Sequence, residues 1–206
     1  MPHRFKAFLL LGAPGSGKGT QGKILGSIPR FYHFSMGDAF RQLDTRTSIG
    51  KEFIEHSSKG DLVPDELTVR YWKTQIDSRV GAHIYKPDID FLILDGIPRN
   101  VAQAELMSEH VDVIQVLHLS CPDRDELARR MRKRALKEGR MDDANEITIQ
   151  HRLSKYEQET KELYDYYGGR KEYEINASQP PAKVIHDILG RIMQLPAWGD
   201  FVKHGI

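Results

Sequence analysis

Gly12, Gly17 and Lys18 in the stretch "GAPGSGKGTQ" stand at the spacing of a phosphate-binding P-loop. In such a loop the glycines let backbone N–H groups turn inward around an anion, and the lysine reaches the outer phosphates. The pattern asks for Ser or Thr directly after the lysine; here Gly19 intervenes, so the metal-side hydroxyl of Thr20 arrives one residue late. A second group with chemical potential is "LDGIPRNVAQ", where Asp95 is followed by a turn presenting Gly96 and Arg99. A third is a set of arginines: Arg41, Arg99, Arg130, Arg134, Arg140 and Arg152. A planar guanidinium binds two phosphate oxygens at once, and a phosphoryl group in transfer needs its spread-out charge neutralised on several sides. Arg130 and Arg134 share a helix face by their spacing. The run "RRMRKR" as a whole reads equally well as a solvated basic face.

The elements that must position these residues follow from periodicity. Lys6 to Leu11 is a short apolar β-type run, and Gln21 to Ile28 continues as a helix with Ile24, Leu25 and Ile28 on one face. The glycine loop therefore links a buried strand to a helix N-terminus, whose free N–H groups and dipole favour anions. "FLILDG" (Phe91 to Gly96), "VDVIQVLHLS" (Val111 to Ser120) and "YEINA" (Tyr173 to Ala177) are further strands. Between them lie helical patterns over Asn100 to Glu109, Asp123 to about Leu136, and from Asp143 onward, the last turning Leu153, Tyr156, Leu163 and Tyr167 inward. Asp123 with Glu126, and Asp143 with Glu146, have the spacing of capping boxes. Strands alternating with helices imply an α/β fold, a parallel sheet flanked by helices in three layers. Ligands gather at the carboxyl ends of parallel strands, which puts Asp95 beside the glycine loop, suited to orienting hydrated Mg²⁺. Ser35 to Val63 and Lys133 to Asp143 fit the alternation poorly and read as excursions from the core. The tail after Leu195 has little periodicity; Trp198 and Phe201 are expected to pack it onto the core.

Composition narrows the classes. A chain of 206 residues, 39% hydrophobic and 29% charged, reads as one soluble domain with a substantial core. Its net charge of +1 gives no bulk electrostatic case for a nucleic-acid or membrane partner. Cys121 is the only cysteine, which excludes an internal disulfide and a multi-cysteine zinc site. The N-terminal apolar run ends in the glycine turn and Lys18 where a signal peptide would have a small-residue cleavage site. No stretch approaches the ~18 apolar residues of a membrane span, so a cytoplasmic protein is expected.

Taken together, these motifs resemble adenylate kinases within the nucleoside monophosphate kinase family, from the first strand to about residue 190. "GAPGSGKGTQ" is similar to that family's P-loop, including its Gly-Thr ending; "SMGDAFR" looks like its monophosphate-site helix and "DGIPRNVAQ" its hallmark turn. "KGDLVPDEL" is similar to the segment that follows the monophosphate site, and "GRMDD" with "HRLSKY" carry the lid arginine and the one beyond it. The resemblance implies a P-loop kinase fold over the whole chain, with a monophosphate-binding part at about 35–63 and a short lid at about 134–142. It implies that Gly15, Ser16, Gly17, Lys18, Gly19 and Thr20 wrap the ATP phosphates, with Arg130 and Arg134 on the ATP side and the Gln179 backbone near the adenine. Arg41, Arg99, Arg140 and Arg152 would grip the acceptor phosphate and the group in flight. Met36, Asp61, Leu62, Val63, Gly96, Ile97, Pro98 and Gln103 would frame the acceptor nucleotide. The short lid with a lone cysteine implies no zinc, and the family expectation is a monomer acting on ATP, AMP and ADP.

The implied reaction is reversible: MgATP plus AMP gives two ADP. Gln103 supports AMP, since a side-chain amide offers one donor and one acceptor to the edge of adenine. Met36, where adenylate kinases usually have Thr, points to the alternative of a broader or pyrimidine-directed monophosphate kinase. Ile97 replaces the usual Phe of the turn. Two further readings stay open: a P-loop kinase for a hydroxyl acceptor, with Asp38 as its carboxylate, and a nucleotide-binding regulatory protein without turnover.

Overall fold

The computed structural model describes residues 4–58, 63–138, 145–168 and 171–204. The chain runs β1 (Phe5–Leu11), α1 (Lys18–Gly26), β2 (Phe31–Ser35), α2 (Met36–Arg41), α3 (Ser48–Ser58), α4 (Asp65–Gly81) and β3 (Phe91–Asp95). It continues with α5 (Val101–Met107), β4 (Val111–Ser120), α6 (Arg124–Glu138), α7 (Glu146–Tyr167), β5 (Glu172–Asn176), α8 (Pro181–Met193) and α9 (Pro196–His204). The strands form one parallel sheet in the order β2, β3, β1, β4, β5. This is the helix-flanked parallel sheet that the strand and helix alternation predicts.

β1 and β3 are buried along almost their whole length, because continuous apolar runs are stable only where helices cover both faces. Successive side chains split between two cores. Ala7, Leu9, Leu11, Leu92 and Leu94 pack with Trp72 and Ile76 of α4 and Leu163 of α7. Phe8, Leu10, Phe91 and Ile93 pack with Leu25 of α1, Leu127 and Met131 of α6 and Ile188 of α8. In β4 the parity changes midway: Val113 and Val116 face the first core, Leu117 and Leu119 the second. The register explains it, since Ala7 pairs with Val113 but Phe8 with Gln115, so Ile114 is an extra residue that flips every side chain after it.

Several elements go beyond the sequence reading. β2 is short and begins just after Pro29, and its apolar residues are separated by half-buried Tyr32 and His33, so its pattern is weak. α4 is a long helix whose inner face becomes evident only against the sheet, whereas α8 buries Val184, Ile188 and Ile192 at helical spacing. α1 starts three residues before the expected Gln21, because Gly17 takes the left-handed conformation of its N-cap and Lys18 is already helical. The expected start of α7 at Asp143 is corrected: the helix begins at Glu146, and Asn145 caps it by accepting from the Ile147 N–H at 2.8 Å. Asp123 does cap α6, its carboxylate accepting from the Glu126 N–H at 3.0 Å. The tail after Leu195 is also corrected, since it forms α9, and Trp198 stacks on Phe31 at 5.9 Å between ring centroids. The Phe201 side chain lies outside what is described.

α1 lies close on β2 because it carries glycines there. A Cβ on Gly22 would fall on the His33 ring, 2.6 Å from Cδ2, and one on Gly26 would lie 2.7 Å from the His33 Cβ. Alanine at position 22 gains about 1 kcal/mol of helix propensity, but overpacking a buried ring typically costs about 1–3 kcal/mol. Gly22→Ala is therefore expected to lower the urea midpoint of unfolding, with little change in the slope of the transition.

Candidate active site

The carboxyl ends of β1 and β3 are neighbours, with Leu10 opposite Asp95, so the loop leaving β1 and the acid ending β3 are brought together by the sheet itself. The loop lies tightly on the structure beneath it. Gly12, Gly15 and Gly17 have positive φ of 149°, 88° and 98°. A Cβ on Gly12 would stand 2.6 Å from the Leu119 carbonyl oxygen, and one on Gly15 would stand 2.7 Å from that of Leu127. Glycine is thus required at both places for conformation and for space. The Ser16 hydroxyl is buried in this loop with no hydrogen-bond partner among the described residues, while Thr20 is exposed on the first turn of α1.

Lys18 heads α1, and its ammonium donates to the carbonyl oxygens of Gly12 and Ala13, the latter at 3.0 Å. Burial lowers its pKa from the ordinary lysine value to about 8; Asp95 opposes this, and Arg134, Arg99 and Arg152 add to the lowering. One carboxylate and three guanidiniums thus act on the same ammonium. Arg99 is held below the ordinary arginine range first by burial and then by Arg152, with Glu159 and Asp95 acting in the opposite sense. Its side chain is nevertheless open to solvent. The two observations agree if it lines a cleft, crowded by protein atoms on most sides and reached by water from one.

Each arginine is carried by a different device. Arg99 follows the turn Gly96–Ile97–Pro98, in which Gly96 has a φ of 78°, the Ile97–Pro98 bond is cis and Ile97 is fully buried. Arg134 projects from α6, anchored by buried Leu127 and Met131. Arg152 projects from α7, fixed by Ile149 and Leu153 in the core and by Tyr156, whose hydroxyl lies 3.4 Å from His118 Nε2 and 3.2 Å from the Tyr164 hydroxyl. Arg130 is a tie between elements, donating to Glu126 at 2.6 Å and to the Ala177 carbonyl at 2.9 Å. The neighbouring Arg129 and Arg132 pair with Glu126 and Glu146 at the surface, where such pairs contribute little.

On the β2 side, Ser35 caps α2 by accepting from the Asp38 N–H at 3.3 Å, and Arg41 at the end of that helix pairs with Asp38. Met36 is fully buried in the core, and Val63 is half-buried before α4. Gln103 is only 5% exposed, and both ends of its amide are engaged by neighbouring groups. Gln179 donates through its side chain to Asp187 at 2.6 Å. Gly19 lies against Asp95, where a Cβ would be 3.7 Å from the carboxylate. Asp61, Leu62 and Arg140 lie outside the described residues. His33 was not singled out from the sequence, yet its Nε2 lies 3.6 Å from Asp95. An isolated histidine in a short strand carries no signal that would have marked it.

A family model described as "Adenylate kinase" matches residues 10–172. The chain belongs to the adenylate kinase family. Among curated relatives it is 39% identical over 173 residues to an adenylate kinase of Thermobifida fusca, covering 79% of this chain and 84% of that protein. It is 37% identical over 168 residues to one from Leptospira biflexa, covering 79% and 86%. It is 35% identical over 195 residues to one from Cyanothece, covering 91% and 95%. The family match takes in the glycine loop, the Asp95 turn and the arginines of α6 and α7 alike.

The lowered pKa of Lys18 generates a prediction. Bound phosphates hold the lysine charged, so MgATP binding above pH 8 requires proton uptake, and affinity falls as pH rises past that value. Calorimetry at pH 9 in buffers of different ionisation heat is expected to give about one proton taken up per ATP, against little at pH 7. Lys18→Arg, permanently charged, is expected to remove that uptake.

Proposed function

We propose that this chain catalyses reversible phosphoryl transfer from MgATP to AMP, giving two ADP, as a monomer in the cytoplasm. The observation that carries the reading is the gathering of Arg99, Arg134 and Arg152 with Asp95 around Lys18. Such a site is built to neutralise phosphate charge. It needs no catalytic base, because the second pKa of an acceptor phosphate is near ~6 and the nucleophilic oxygen is already largely deprotonated. Catalysis is then positioning plus charge stabilisation in a cleft from which water is excluded.

In this reading the backbone from Gly15 to Thr20 and the Lys18 ammonium hold the ATP phosphates, while Arg130 and Arg134 line the ATP side. Arg41, Arg99, Arg140 and Arg152 hold the acceptor phosphate and the group in flight. Val63, Asp61, Leu62 and Gln103 frame the acceptor base beside the Gly96–Pro98 turn, and buried Met36 acts from behind as packing. The residues fit Mg²⁺: a hard cation with few protein ligands and several waters suits a lone buried carboxylate facing the first turn of α1, which is what Asp95 provides. Mg²⁺ bound with ATP supplies charge neutralisation at the phosphates. Residues 35–63 and 134–142 are proposed as the parts that close over the nucleotides.

The hydroxyl-acceptor alternative loses its candidate carboxylate, since Asp38 is already paired with Arg41. The relatives described above are adenylate kinases, which favours the adenine acceptor over a pyrimidine one. Among the described residues no helix is long and apolar enough to cross a membrane. The test is ADP formation from MgATP with AMP, CMP, UMP and GMP in turn. A kcat/KM for AMP at least tenfold above the others is expected, and comparable rates with CMP or UMP would replace the reading with a broader monophosphate kinase.

A further inference from the structure

The polar cluster behind the Asp95 turn forms a closed ring. Asp65, the first residue of α4, accepts from Gln103 Nε2 at 2.6 Å. Gln103 Oε1 accepts from the Arg99 backbone N–H at 2.9 Å. Asn100 caps α5 by accepting from the Gln103 N–H at 2.9 Å, which turns its own amide nitrogen toward both Asp65 oxygens, at 3.2 and 3.1 Å. Three elements meet here: the start of α4, the turn after β3 and the first turn of α5.

A side-chain amide can be placed either way round, and reversing it exchanges its donor and acceptor ends. In this ring only one placement is chemically consistent. A carboxylate accepts and a backbone N–H donates, so the nitrogen of Gln103 must face Asp65 and the oxygen must face Arg99. Reversal would set the amide oxygen against the carboxylate and the amide nitrogen against an N–H. Each end also keeps capacity in reserve, since the nitrogen carries a second proton and the oxygen a second lone pair.

We infer that Asp65 is a specificity-determining positioning residue that locks the Gln103 amide in the orientation matching adenine and opposing hypoxanthine or guanine. The inference rests on the proposed function, in which Gln103 meets the acceptor base. Adenine presents an amino donor beside the N1 acceptor; hypoxanthine presents a carbonyl acceptor beside an N1–H donor, the reverse pattern. A freely turning glutamine would serve both. A locked one serves adenine and leaves hypoxanthine facing like against like, and Asp65 supplies the charge-assisted half of the lock.

The experiment compares kcat/KM for AMP and for inosine monophosphate, with MgATP as donor, in the unaltered chain and in Asp65→Asn. The two acceptors share ribose and phosphate, so their ratio isolates the base edge, and the fraction of active enzyme cancels within each preparation. Asparagine can face the glutamine with either end. The AMP preference is therefore expected to fall by about tenfold, the scale of one charge-assisted hydrogen bond, with a gain for inosine monophosphate as well as a loss for AMP. Asp65→Ser, which keeps a small helix-starting residue without the carboxylate, is measured alongside and is expected to move the ratio the same way. An AMP preference that is unchanged in both variants overturns the inference and leaves the proposed function standing. Failure of the unaltered chain to use AMP at all overturns the proposed function, and the inference with it.

Discussion

The site depends on one close approach: backbone on backbone where the loop after β1 crosses the ends of its neighbours. Gly12 and Gly15 sit so near the carbonyls of Leu119 and Leu127 that no side chain fits between. The glycines let the chain turn with positive φ, and the turn aims the Gly12 and Ala13 carbonyls at the Lys18 ammonium. The ammonium is thereby fixed at the head of α1, where unpaired helix N–H groups add to its charge. Everything charged in the site is arranged around that point.

Of the charged groups that act on Lys18, one is a carboxylate and three are guanidiniums. Burial is the main cause of the lowered pKa of Lys18, with Arg134, Arg99 and Arg152 adding to it and Asp95 opposing it. Core packing holds them there. Arg134 and Arg152 sit on helices whose inner faces are locked by Leu127, Met131, Ile149 and Leu153. In the proposed function a polyphosphate binds among these charges, which stabilise the moving phosphoryl group in transfer. Asp95 sits beside His33 at the meeting of β3, β2 and α1, where close packing allowed by Gly22 and Gly26 fixes its position.

Local spacing made the loop, Asp95, the Arg99 turn and the central strands legible in the sequence, because glycine conformation, lysine placement and continuous apolar runs are all short-range signals. The α6 capping by Asp123 was legible for the same reason. What escaped depends on contacts distant in sequence. β2 takes its place from pairing with β3, and the parity change in β4 comes from a single extra residue that alternation alone does not reveal. Asp65 read as an ordinary acid at a helix start; only the fold sets it against Gln103 from 38 positions away. Met36, singled out as a departure at the acceptor site, is fully buried next to the Gly96 turn, a placement that spacing alone does not reveal.

The central claim is that the phosphoryl group passes between two nucleotides and not to water. The most direct measurement supplies Mg²⁺ and ADP as the sole nucleotide and follows all phosphorus species by NMR. ATP and AMP are expected to appear in equal amounts, with no inorganic phosphate released. AMP accompanied by inorganic phosphate, or no conversion of ADP at all, would contradict it.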